Sequence, residues 1–98
     1  MAIIDDVSTQ IKDAMRAKDK VRLTALRSIR AAFIEALKSD GAETLSDEQV
    51  MPILRKLAKM REESIAMYKQ GNREDLVAIE AAELAHIDAF LPSLADEA

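Results

Sequence analysis

Apolar residues recur along this chain at helical spacing, in four stretches parted by short polar breaks. In the first, Ile4, Val7, Ile11, Ala14 and Met15 follow the i, i+3, i+4, i+7 pattern and predict a helix from about Ile4 to Met15. Lys18-Asp19 interrupts it, and Asp19 suits the N-cap of the next helix. That second helix is predicted from Lys20 to about Lys38. Its residues Leu26, Ile29, Phe33, Ala36 and Leu37 share one face at about 100° per residue. Leu23 and Ile34 fall beside this face, so the apolar surface is broad, as in a helix with more than one neighbour. Lys20, Arg27 and Lys38 line the remaining edge.

Residues 39–45 read as a loop broken at Gly41. Ser46-Asp47-Glu48-Gln49 then has the form of a capping box, with Ser46 as N-cap and Gln49 at N3. The third helix is predicted to run to about Gln70. Pro52, six residues past the cap, costs it one backbone hydrogen bond and should bend or loosen its first turns. Gly71 is expected to end it as the C′ residue, and Asn72 to cap a fourth helix whose Glu74 and Asp75 suit its positive end. That helix is predicted to reach about Phe90, where Pro92 stops it. The expected fold is all-α, a four-helix antiparallel domain over residues 1–91. Residues 92–98 would begin a linker or a truncated C-terminal tail.

Composition agrees. Of the 98 residues, 49% are hydrophobic and 33% charged, too apolar for a disordered chain and too charged for a membrane span. Aromatics are 3%, which disfavours a β-sandwich or barrel. With no Cys there is no disulfide framework, thiolate metal site or catalytic thiol, and one His excludes most His-rich metal sites. No secretory signal is visible at the Met-Ala-Ile-Ile start. No cofactor, metal or membrane is expected.

Some charged residues fall on apolar faces. The third helix centres its face on Val50, Ile53, Leu54, Leu57, Ile65 and Tyr68, and Arg61 and Ser64 lie inside it. In the fourth, Glu80 and Glu83 fall among Leu76, Leu84, Ile87 and Leu91. Counting in both directions from the Gly71 turn sets Arg61 level with these carboxylates, and Arg30 on the second helix is near enough by its wheel position to join them. Arg61 is therefore expected to be largely buried and to pair with Glu83, or with Glu80 if the turn shifts register. An unpaired buried charge costs several kcal/mol, so the cluster is either an ion pair fixing helix register or a polar site using the Glu pair as acid and base. His86 sits at the edge of the fourth helix's face with too few neighbouring ligands for a metal. Ile53, Met60 and Met67 form a heptad-spaced flank, either core edge or a docking groove.

The net charge of -4 is unevenly spread: residues 12–38 are net +5, 55–61 net +4 and 62–98 net -7. An acidic domain with such blocks can offer a basic face to a polyanion. Candidate nucleic-acid contacts are Lys20, Arg27 and Lys38 on the second helix and Arg55, Lys56 and Lys59 on the third. With aromatics so scarce, binding would read shape and backbone. No phosphate loop, H-E-x-x-H or G-x-S-x-G is present.

Several short runs, in order, resemble the YqeY proteins of the GatB/YqeY superfamily: Lys18-Asp19-Lys20, Leu26-Arg27, Leu45-Ser46-Asp47-Glu48-Gln49-Val50, Arg61-Glu62-Glu63-Ser64-Ile65, Gly71-Asn72-Arg73-Glu74-Asp75-Leu76, and the stretch from Glu80 and Glu83 to Phe90-Leu91-Pro92. The resemblance spans almost the whole chain. It implies an all-helical fold like the C-terminal part of the tRNA-dependent amidotransferase B subunit, which helps hold tRNA. It also implies an inferred carbon–nitrogen ligase activity with glutamine as amide donor, but brings no catalytic residues to this chain. Family members carry a further small helical tail domain after the Leu-Pro, whereas this sequence ends at Ala98. Three readings follow: a cytoplasmic, tRNA-associated or amidotransferase-like accessory; an enzyme component for glutamine-dependent amide transfer; and a plain helical interaction domain. Its partners would be tRNA, an amidotransferase-like complex, a second copy, or the missing tail domain.

Overall fold

In a computed structural model, residues 2–91 are described. They form an all-α domain of four helices: α1 (Ile3–Ala17), α2 (Lys20–Asp40), α3 (Asp47–Gln70) and α4 (Glu74–Asp88). The boundaries follow local chemistry. The Asp19 carboxylate accepts from the Arg22 N–H at 3.1 Å and caps α2. Ser46 Oγ accepts from the Gln49 N–H at 3.2 Å while Gln49 Oε1 accepts from the Ser46 N–H at 2.8 Å, the reciprocal box that opens α3. α1 has no side-chain cap of its own. Its Ile3 N–H instead donates to Asp47 Oδ1 at 2.8 Å, so the start of α3 also satisfies the start of α1.

Three helices end in one way. Beyond each, a residue turns left-handed and the next N–H bonds back five residues: Asp19 to Ala14 (3.0 Å), Ala42 to Leu37 (3.2 Å) and Arg73 to Tyr68 (2.8 Å). The left-handed residues are Lys18, Gly41 and Asn72. The expected roles at the last turn are thus shifted. Gly71 keeps an ordinary φ of -87°, and Asn72, not Gly71, takes the left-handed C′ position, which Asn tolerates because its short side chain bonds locally. The N-cap of α4 then falls to Arg73, with no side-chain cap hydrogen bond. Its guanidinium instead grips Asp75, with Nε and Nη2 donating to the two carboxylate oxygens at 3.2 and 3.1 Å. That contact, ahead of the weaker opposing effect of desolvation, holds the Asp75 carboxyl below the usual carboxylate range.

α4 ends at Asp88, two residues before the expected Phe90. There the chain tightens into three-residue bonds, Phe90 N–H to Ile87 and Leu91 N–H to Asp88. The proposed stop at Pro92 and the linker over 92–98 lie outside the described residues. Helix α3 runs unbroken through Pro52, whose side chain is exposed.

α2 is the central helix, packing on α1 and α4, while α3 packs most extensively on α4 and only sparingly on α2. Phe33, Leu26 and Ile29 of α2 are completely enclosed with Val7, Val50, Leu54 and Ile87. Each of these large side chains contributes about 1.5–3 kcal/mol of transfer free energy. Leu45, read as loop, is also buried. It precedes the Ser46 cap and joins the same core as Val50, four residues into α3, the arrangement of a hydrophobic staple. Met15 departs in the other direction: it is exposed, in the last turns of α1 and about 70° from the centre of the buried stripe of Val7, Ile11 and Ala14.

Candidate functional site

Arg61 of α3 lies between two carboxylates on α4. Nη1 donates to Glu80 Oε2 at 3.3 Å, and Nε stands 3.3 Å from Glu83 Oε2. The second contact is an ion pair without a well-aimed hydrogen bond, since the buried Nε–H points off the carboxylate. Both carboxylates in the count from the turn are therefore engaged at once. Arg61 retains 24% of its side-chain exposure, more open than expected, whereas Glu80 and Glu83 keep 15% and 11%.

Arg30 is not in this cluster. Its side chain is exposed on α2. The contact from α2 comes instead from Ser28, whose Oγ accepts from Arg61 Nη2 at 3.3 Å. The signal was available: Ser28 sits between Ala25 and Ala32 at i-3 and i+4, a small polar residue in a row of small apolar ones. One guanidinium thus joins α2, α3 and α4. Two carboxylates share it, so the cluster is net negative by one charge, with the partly open Arg61 at its wet rim.

Of the remaining expected positions, Lys20, Arg27, Lys38, Arg55, Lys56 and Lys59 are all exposed, but they do not form one patch. Lys20, Arg27 and Lys38 share the outer edge of α2. With Arg30, they lie within about 80° of arc, flanking the half-buried Leu23 and the exposed Ile34. Lys56 instead lines a groove between α2 and α3, whose α2 wall begins at Glu35, about 60° around the wheel from that edge. Arg55 and Lys59 lie on α3 away from that groove.

The groove measures about 470 Å³. Its α2 wall is Ala32, Glu35, Ala36 and Ser39. Its α3 wall is Ile53, Lys56, Leu57 and Met60. It lies where α3 packs only sparingly on α2 while packing extensively on α4. None of Arg61, Glu80 and Glu83 lines it. His86 is half-buried in the last turn of α4. Among the described residues, no three His, Cys, Asp or Glu side chains converge as metal ligands, and no helix is long and apolar enough to cross a membrane.

Comparison with known proteins fixes the family. The family described as Yqey-like protein matches residues 4–98. The chain belongs to the YqeY family. The chain is similar to relatives called "Altered inheritance of mitochondria protein 41, mitochondrial". The protein of Vanderwaltozyma polyspora is 38% identical over 86% of this chain and 45% of its own length. That of Pyrenophora tritici-repentis is 33% identical over 90% of this chain and 48% of its own. The Clavispora lusitaniae protein is 30% identical over 95% of this chain and 54% of its own. The chain spans about half the length of these relatives. Their names also correct the expected cytoplasmic location, since all three are named as mitochondrial proteins.

Proposed function

We propose that this YqeY-family domain is an RNA-docking accessory, with tRNA as the class of ligand, acting beside an amidotransferase-like complex. The outer edge of α2 carries the reading. Lys20, Arg27, Arg30 and Lys38 are exposed there, and α2 places no carboxylate among them. From Lys20 to Lys38 the edge is about 27 Å long at 1.5 Å per residue, enough to follow several phosphates of a folded RNA. The scarcity of aromatics favours recognition of shape and backbone over stacking on unpaired bases. The relatives bring a mitochondrial setting to the reading in place of a cytoplasmic one.

Fluorescence anisotropy with bulk tRNA at two salt concentrations tests it. Four phosphate contacts give a log–log salt slope of about -3 to -4. The double reversal Arg27→Glu with Arg30→Glu should weaken binding by about 30-fold or more, while Lys69→Glu on α3 should leave it near wild type. Absence of binding at low salt, or binding indifferent to the α2 reversal, overturns the proposal. Aminoacyl-tRNA amidation by the chain alone would instead assign it the chemistry.

A further inference from the structure

The groove between α2 and α3 does not belong to the cationic edge, and its composition identifies an occupant. Its α2 wall is made of small residues, Ala32, Ala36 and Ser39, and its α3 wall of large ones, Ile53, Leu57 and Met60. The large side extends outward as a ridge at heptad spacing. Ile53 is partly buried, Met60 is 50% exposed and Met67 is 68% exposed. Each wall also carries one charge, Glu35 on α2 and Lys56 on α3. Among the described residues neither is in an ion pair.

Ridge and small-walled groove are complementary in shape, and the two charges are complementary in sign. Both features sit on one molecule. A two-fold axis satisfies such an arrangement, because each surface then meets its counterpart twice. We propose that this face binds a second copy of the chain, the α3 ridge of each protomer seated in the α2/α3 groove of the other. Met60, midway along the ridge, lies nearest the axis, and Glu35 of each protomer pairs with Lys56 of its partner. The groove itself is electrically balanced, so the net charge of -4 per chain opposes association only at long range, where salt screens it. Methionine suits such a joint, since its flexible side chain adapts to a partner.

Sedimentation equilibrium on the full chain tests this with three variants. Wild type should sediment as a concentration-dependent dimer. Met60→Glu should weaken dimerisation by about tenfold or more, and so should Glu35→Lys and Lys56→Glu singly. All three positions border open space, and circular dichroism verifies that the helices remain. The decisive sample is an equimolar mixture of Glu35→Lys and Lys56→Glu chains. Across a two-fold axis, the lysine pair of one chain meets the glutamate pair of the other, so the mixture should dimerise about tenfold or more tightly than either variant alone. A charge pair closed within one chain gives no recovery on mixing, and that result overturns the proposal. A strict monomer at all concentrations does so too, assigning the groove to a different chain, as does a dimer indifferent to Met60→Glu.

Discussion

Arg61 and Lys56 stand five residues apart on α3 and meet opposite surroundings. Arg61 faces α4, where it is held by Glu80, Glu83 and Ser28. Lys56 faces the open groove beside α2. The helix is the same, and the side-chain charges are alike. What differs is whether a neighbouring helix closes over the position, since α3 packs tightly on α4 and sparingly on α2. A charge under a helix must be neutralised by partners inside the fold. A charge beside a gap is left for water, for ligand or for another molecule. The closed side of α3 therefore speaks to stability, and the open side speaks to function.

The largest effect should come from emptying the closed side. Arg61→Ala leaves two neighbouring carboxylates with no cation, at a cost of about 2–4 kcal/mol, reduced from the fully buried case because Arg61 keeps some contact with water. The urea midpoint should fall with little change in slope. Replacing Arg61 and Glu83 together with apolar residues should cost clearly less, because only Glu80, at the more open side, stays charged. Equal losses for the single and double replacements would mean that Arg61 contributes packing rather than charge.

Next in size is a difference between the two carboxylates. Glu80 accepts a true hydrogen bond from Arg61, whereas Glu83 offers charge without a well-aimed bond. Glu80→Gln should cost about 1 kcal/mol. Glu83→Gln removes the surplus negative charge and should stay within about 0.5 kcal/mol of wild type, despite Glu83 being the more buried of the two. Chemical denaturation of the two variants side by side checks the order. The reverse ranking would show that burial, and not bond geometry, decides which carboxylate matters.

The closed side was legible in the sequence because periodicity and a turn fix it. A charge inside an apolar stripe is visible on a helical wheel, and Gly71-Asn72 sets how far α3 and α4 overlap. Ser28 and Arg30 were harder to place. The wheel says which face a residue occupies, but which neighbour covers that face depends on how α2 crosses α4, a tertiary fact. A long Arg30 side chain looked fit to reach the cluster, yet the space goes to a short Ser28 reaching Arg61 across a row of alanines. Leu45 was missed because a single apolar residue in a loop has no period. The groove was legible only by halves: Ile53, Met60 and Met67 formed an apolar flank, but the facing wall of Ala32, Ala36 and Ser39 emerges only once α3 is seen to pack sparingly on α2. Splitting the six basic residues between an edge and a groove needed the same knowledge.

On the open side, truncation should be nearly silent for the fold of a single chain. Lys56→Ala, measured at protein concentrations low enough to avoid association, should change unfolding free energy by no more than about 0.5 kcal/mol. A cost approaching that of Arg61→Ala would mean that Lys56 has partners within its own chain and that the two sides of α3 are not different in kind.

The smallest effect concerns a second arginine, just past the turn that joins α3 to α4. Arg73 and Asp75 form a two-pronged pair where α4 begins, but both side chains are more than half exposed. Geometry there is better than at Arg61, and closure is absent. If closure governs, Asp75→Asn should lower Tm less than Glu80→Gln does, even though it breaks two hydrogen bonds rather than one. The pH dependence gives the sign. The folded-state carboxyl is held below its ordinary value of 3.8, chiefly by the Arg73 contact. Stability from the pair is therefore present above that ordinary value and lost as pH falls through the lower, folded one. The Tm difference between wild type and Asp75→Asn should be small near neutrality and should shrink as pH falls from that ordinary value through the lower, folded one. A difference that persists in acid would come from the shape of the side chain at the start of α4, not from its charge.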